Sequence, residues 1–254
     1  LRRERDLTIV GPPGIMERAS GVAATLKAAR DRGMGVYLFG TNPPMSRNES
    51  YRQMSRKSFL DVDLSLKEVE NPWGVCVNCP QFLSLYQARL KDIHKNLPSD
   101  GFLNDGPEFG YEIAPGFIGD VASLFSCFCP CCAQKAQEMG HDLKAFQDAA
   151  GRLRGWLCNL NPTALKAVVE TQTGLFEAYD LFLADPALQD WLRFKTESIE
   201  SYVKALCEEV KTLDGRLKIG IGSRTAAFAP LTGYNLSRVA RHADFVLPKL
   251  YFWM

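Results

Sequence analysis

The sequence predicts an α/β fold: part of a (β/α)8 barrel of the TIM type, incomplete in this chain and carrying inserted helices. Three observations predict it. Short apolar runs recur along the chain, each closed by Gly or Pro. Stretches with apolar residues at helical spacing separate them, the rhythm of a parallel sheet. Carboxylates, amides and basic residues gather just behind the apolar runs, where the C-terminal tips of parallel strands would share one face.

In chain order, residues 7–11 read as a strand with Pro12-Pro13-Gly14 as the loop behind it. From Glu17 to Arg32 a helix follows, with Ala19, Val22, Ala23, Leu26 and Ala29 on its apolar side and Gly33 as its C-cap. Val36 to Phe39 and Val75 to Val77 are the next strands, and Pro80 starts a helix carrying Phe82, Leu85, Tyr86, Leu90 and Ile93. Asp100 to Asp105 is the fourth strand. An excursion from Gly106 to Pro130 comes next, far longer than the roughly 2–6 residues of an ordinary βα connection.

Residues 133–184 read as helical, with interruptions near Gly151 and Asn161-Pro162. Asp185-Pro186 supplies N-cap and first-turn residues to a long helix with Leu188, Trp191, Ile199, Tyr202, Leu206, Val210 and Leu213 on its apolar face. Leu217 to Ile221 is the fifth strand, 235–241 a short helix, and Phe245 to Leu247 the last strand, with Pro248 at its tip. Six strand candidates fall short of the eight a closed barrel uses. The chain starts without Met and stops on the apolar Tyr251-Phe252-Trp253-Met254, so it reads as a fragment: one partial barrel domain over 1–254, with a long loop and helical insertion over 107–184.

At 254 residues there is enough chain for a sizeable core. Thirty basic and twenty-nine acidic residues leave a net charge of +1 without long runs of either sign, so no nucleic-acid phosphate track is expected. No apolar run is long enough to span a bilayer, and the charged Leu1 to Arg5 start has no apolar stretch behind it. A soluble protein is expected, with the cytoplasm favoured over export; the oligomeric state is open.

The strand tips carry the candidate chemistry. Asn42, Asn78, Asn104 with Asp105 and Glu108, then Arg224, and finally Lys249 with Tyr251 follow successive strands. Donors, acceptors and aromatic rings on one rim suit a polyhydroxylated ligand. Glycoside hydrolysis needs two carboxylates flanking the scissile bond; Asp105 suits one role, and Glu108 or Glu112 the other. Such a reaction needs no cofactor. The rivals are a non-catalytic carbohydrate-binding barrel and a metal-dependent barrel hydrolase with His or carboxylate ligands at the rim.

Of eight cysteines, Cys127, Cys129, Cys131 and Cys132 crowd into six residues, and Cys76 and Cys79 form a C-x-x-C. Cys127-x-Cys129-x-x-Cys132 offers three thiolates to one ion, and Cys76, Cys79, Cys131 or His141 could complete a tetrahedral zinc site. Such a site would be structural. The alternatives are disulfides reaching Cys76 or Cys79, and buried reduced thiols. Cys158 and Cys207 read as small core residues, His94 and His242 as surface or capping residues, and His141 as a local hydrogen-bonding group.

Asn78-Cys79-Pro80, the Asp100-Gly101-Phe102-Leu103-Asn104-Asp105 strand and the Cys127 to Cys132 loop together resemble the hypothetical glycoside-hydrolase-like TIM barrels of bacteria, distantly similar to α-amylase-like and α-fucosidase-like barrels. Residues 193–199 and 244–253, including Trp253, share the likeness, which covers roughly 35–254. It implies a nucleophilic carboxylate at the fourth strand's tip, where Asp105 falls; the reading of the rim puts Asn78, Asn104, Glu112, Arg224, Lys249, Tyr251 and Trp253 around the expected sugar.

Overall fold

A computed structural model of the chain describes residues 15–41, 54–60, 66–97, 99–105, 108–109, 125–173, 180, 184–223 and 229–248. The expected strand at 7–11 lies outside them. Helix α1 (Ile15–Asp31) leads into β1 (Tyr37–Thr41). Its exit is the expected glycine cap: Gly33 takes φ 76° and Met34 N–H reaches back to the Ala29 carbonyl. Next come β2 (Ser55–Leu60), β3 (Leu66–Val75), α2 (Pro80–Asn96) and β4 (Gly101–Asp105). Three helices follow, α3 (Pro130–Glu138), α4 (Leu143–Cys158) and α5 (Pro162–Thr171), then the long α6 (Pro186–Leu213). The described residues close with β5 (Lys218–Ser223), a tight turn at Ala229–Thr232, α7 (Leu236–Val239) and β6 (Phe245–Pro248).

The main sheet has the order β1-β4-β5-β6, and every neighbouring pair is parallel. One face packs on helices. Phe102, Asn104, Ile219 and Ile221 point that way and are buried beneath α2 and α6. Helix α6 starts on the Asp185 carboxylate, which accepts the Ala187 N–H, and buries Leu188, Trp191, Phe194, Ile199, Tyr202, Val203, Leu206 and Val210. At about 1.5–3 kcal/mol per large apolar side chain removed from water, this helix is a principal source of core stability.

The other face is curled. Tyr37 of β1 and Phe245 of β6 meet edge to face with ring centroids 5.3 Å apart, although two strands lie between them. In a flat sheet, three strand spacings would separate those backbones by about 14 Å. Gly220 makes the meeting possible, because a Cβ there would run into the Phe245 ring. Concave curvature with helices outside is the arrangement of a barrel wall; among the described residues the sheet has four strands and stays open.

Three expectations change. Val75 to Val77 is not a strand of the parallel sheet: residues up to Val75 form an antiparallel hairpin, β2 with β3. Gly151 does not interrupt α4, which runs through it. Cys158 is exposed at the end of α4, whereas Cys207 is buried as expected. Among the described residues no helix is long and apolar enough to cross a membrane.

Candidate functional site

Parallel register aligns the C-terminal tips. Thr41 stands opposite Asp105, Asp105 opposite Gly222, and Gly222 opposite Leu247. Side chains alternate along a strand, so Leu103 and Asp105 belong to the concave face while Phe102 and Asn104 turn to the helices. Asp105 is half-buried, and its Oδ1 lies 3.1 Å from where a Cβ on Gly222 would be. A carboxylate at the open end of the concave face is therefore present.

Asn104 is turned the other way. It is 1 % exposed and its Nδ2 donates to the Tyr86 hydroxyl of α2 at 2.6 Å. Glu108 is buried at 3 % exposure, and its neighbour Phe109 is fixed by an N–H bond to the Thr232 carbonyl and by a ring contact with Phe194. Lys195, which the sequence reading passed over, is buried close by: its ammonium donates to the Leu231 carbonyl and lies 3.7 Å from the centre of the Trp191 ring. Its place on the apolar face of a helix was the visible signal. Asn42, Glu112, Arg224, Lys249, Tyr251 and Trp253 lie outside the described residues.

The cysteines converge. Cys76, Cys127, Cys129 and Cys132 are all buried, with their four sulfurs within 4.8 Å of one another. Cys76 is 3.4 Å from both Cys132 and Cys129. Of the four candidates for completing the expected trio, Cys76 does so. His141 is elsewhere, bridging Asp190 and Glu197 of α6 at 2.9 and 3.2 Å. All eight cysteines have free thiols.

Local structure explains the convergence. Cys76 follows β3 and its N–H bonds to the Met54 carbonyl. Cys129 is the N-cap of α3 and Pro130 opens its first turn, which places Cys132 one turn into the helix beside it. Phe128 between the thiols stacks on Trp191 and donates its N–H to the Lys57 carbonyl, fastening the loop to α6 and to β2.

Donors surround the sulfurs. The Lys57 N–H points to Cys127 Sγ and Asn78 Nδ2 to Cys132 Sγ, each at 3.4 Å. The Asn78 amide also reaches the Ser198 hydroxyl; Asn78, expected at the sugar, stands beside the cysteines. Thiol hydrogen bonds from Cys127, Cys132 and Cys76, with the Cys132 backbone N–H, hold Cys129 far below the usual thiol range. Hydrogen bonds among the thiols raise Cys76, and burial raises Cys132.

The residues fit a single soft divalent ion. Zinc–sulfur bonds of about 2.3 Å imply tetrahedron edges of about 3.8 Å, close to the 3.4 Å from Cys76 to Cys129 and Cys132 and inside the 4.8 Å that contains all four sulfurs. Four thiolates would close the coordination shell, leaving no position for a reacting water.

No family model and no curated protein matches the sequence. Solved structures superpose on the fold. The glycoside hydrolase domain of PgaB (BpsB) from Bordetella bronchiseptica superposes with a TM-score of 0.54 at 14 % identity, over 87 % of this chain and 52 % of that one. A β-galactosidase from Halorubrum lacusprofundi gives 0.49 at 14 % identity, over 94 % and 34 % of the two chains. One from Rahnella sp. R3 gives 0.47 at 18 %, over 89 % and 30 %. The chain thus spans about half the length of the PgaB domain and shares its fold. At this identity the likeness concerns fold alone.

Proposed function

We propose that the chain is part of a glycoside hydrolase acting on a carbohydrate, with Asp105 as the nucleophile or stabilising carboxylate. The observation that carries this reading is the position of Asp105 at the C-terminal tip of β4, on the concave face of a parallel sheet, with Gly222 leaving space beside it. That is where barrel enzymes gather catalytic groups. The similarity to the PgaB glycoside hydrolase domain supports it.

Glu108 is the partner acid in this reading. Three residues of chain keep its Cα within about 11 Å of that of Asp105, compatible with the roughly 5–9.5 Å between carboxyls in glycosidases. Glu112, Arg224, Lys249, Tyr251 and Trp253 are proposed to line the sugar from the segments around them. Cys76, Cys127, Cys129 and Cys132 hold a structural zinc, which pins the loop after β4 to the end of the hairpin and takes no part in bond cleavage.

A panel of aryl glycosides, assayed with the full-length protein beside its Asp105→Asn variant, tests the assignment. Turnover should fall by at least about a thousandfold. Equal activity in both proteins removes Asp105 from the mechanism, and sugar binding without turnover in either makes the barrel a binding module.

A further inference from the structure

The four cysteines of the nest are at most 4 % exposed, so an ion cannot reach them directly from solvent. Two further cysteines stand on the way. Cys79 follows Cys76 by one C-x-x-C step and N-caps α2; Cys131 sits between Cys129 and Cys132 in the first turn of α3. Each outer cysteine therefore comes from a segment that also supplies inner sulfurs.

Their surroundings form a path. A cavity of about 260 Å³ opens between the starts of α2 and α3 and the flank of α6, and both Cys79 and Cys131 line it. Cys131 is half-buried and Cys79 buried. Cys131 and Cys79 share the cavity wall, and Cys131 lies between the nest cysteines Cys129 and Cys132 in the first turn of α3. Asn78 also lines the cavity while donating to Cys132. The cavity wall that carries Cys79 and Cys131 is thus joined to the buried centre through Asn78 and through the first turn of α3.

We propose that Cys131 and Cys79 form a landing site through which a soft divalent ion reaches, and leaves, the centre formed by Cys76, Cys127, Cys129 and Cys132. The proposal rests on the metal reading given above. Transfer proceeds by ligand exchange without change of oxidation state. The hydrated ion loses a water as each outer sulfur binds, and each outer thiol gives its proton to cavity water. The inner sulfurs then replace the outer ones singly, so the ion is never bare in a low-dielectric interior, where it would be heavily penalised. In the net change the ion sheds its waters and the inner thiols their protons, while Cys79 and Cys131 regain theirs. The chemistry suits Zn²⁺, Cd²⁺ or Co²⁺, and thiolates disfavour Mg²⁺ and Ca²⁺.

Microscopic reversibility lets the path be tested on the folded, loaded protein. Zinc release to a chromophoric chelator, and replacement of zinc by Cd²⁺, are timed under reducing conditions for the wild type, Cys79→Ser, Cys131→Ser, the double variant and Cys158→Ser. The expected result is one zinc per chain in all five proteins, with release at least tenfold slower in the double variant and unchanged in Cys158→Ser. Alkylating Cys131 in the folded wild type should slow release in the same way without changing zinc content, which covers the case of a variant that folds poorly. Wild-type release rates in the double variant and the alkylated protein overturn the relay and leave the metal site standing. Loss of zinc in Cys79→Ser or Cys131→Ser also overturns it, making these residues ligands. A wild-type protein that neither carries nor takes up zinc overturns the metal reading itself.

Discussion

The carboxylate of Asp105 stands against Gly222, its Oδ1 3.1 Å from where a Cβ on that glycine would lie. The two residues are direct partners across the β4–β5 register, so the glycine fixes where the carboxylate can stand. Gly222→Ala is therefore expected to push the carboxylate aside by a few tenths of an ångström. Activity on an aryl glycoside should drop roughly tenfold, since small misplacements of reacting groups are costly, while the melting temperature changes little. Unchanged kcat in the alanine variant would separate Asp105 from the chemistry.

Removal of the metal should loosen the whole 125–132 segment. Cys76→Ser or Cys127→Ser is expected to abolish zinc binding and to cost about 3 kcal/mol, a fall of roughly 6–12 °C in Tm for a domain of this size. Chelation of the wild type should give a similar fall, reversed by added zinc. Metal analysis with calorimetry checks both, and an unaltered Tm in the chelated protein would argue for simple buried thiols.

Asn78 donates to Cys132 Sγ and to Ser198 at once, so its loss should be felt at the metal. Asn78→Ala is expected to weaken zinc affinity by about 10–100-fold, the usual effect of removing a partner that orients a ligand. Competition with a zinc-binding dye measures this directly. Weakened sugar binding with zinc affinity intact would instead return Asn78 to the substrate.

Acid should weaken the start of β5 in a predictable window. Burial works to raise Asp244, but Lys211 and the Ile219 N–H outweigh it and hold the carboxyl below its usual range. A depressed folded value contributes stability above the unfolded value of about 3.9. That contribution is lost as pH falls below it through the folded value. Asp244→Asn should then cost about 1 kcal/mol at pH 7, discounted for partial exposure. The gap to wild type should narrow progressively as pH falls below about 4 in denaturant titrations. A gap independent of pH would mean the amide loses only shape.

Much of this was readable from residues. Apolar runs closed by Gly or Pro marked β1, β4, β5 and β6, and Asp185-Pro186 marked α6, because local chain preferences and burial agree there. The β2–β3 hairpin left no such mark: Ser55-Arg56-Lys57-Ser58 has few apolar residues, and pairing with β3 supplies what the side chains do not. Gly151 lies inside a helix whose flanking residues Phe146, Ala149 and Ala150 are buried, so packing overrides the glycine. At the site, the alternation of a strand separates Asn104 from Asp105, a distinction available in the sequence once Phe102 was read as core. The choice of Cys76 over Cys79 was not available there, since both belong to one C-x-x-C, and only the path of the hairpin decides which sulfur turns inward.

Cys76 and Cys129 are 53 residues apart and their sulfurs meet, with β4 lying between them in the chain. An ion bound there would close that stretch into a ring, and Asp105 would ride on the ring. Closing a loop of this length lowers the entropy of the unfolded chain by an amount equivalent to about 4 kcal/mol in a simple cross-link treatment. The supply of metal would thereby set how often the strand bearing Asp105 is in place, tying the working fraction of the protein to zinc rather than to substrate.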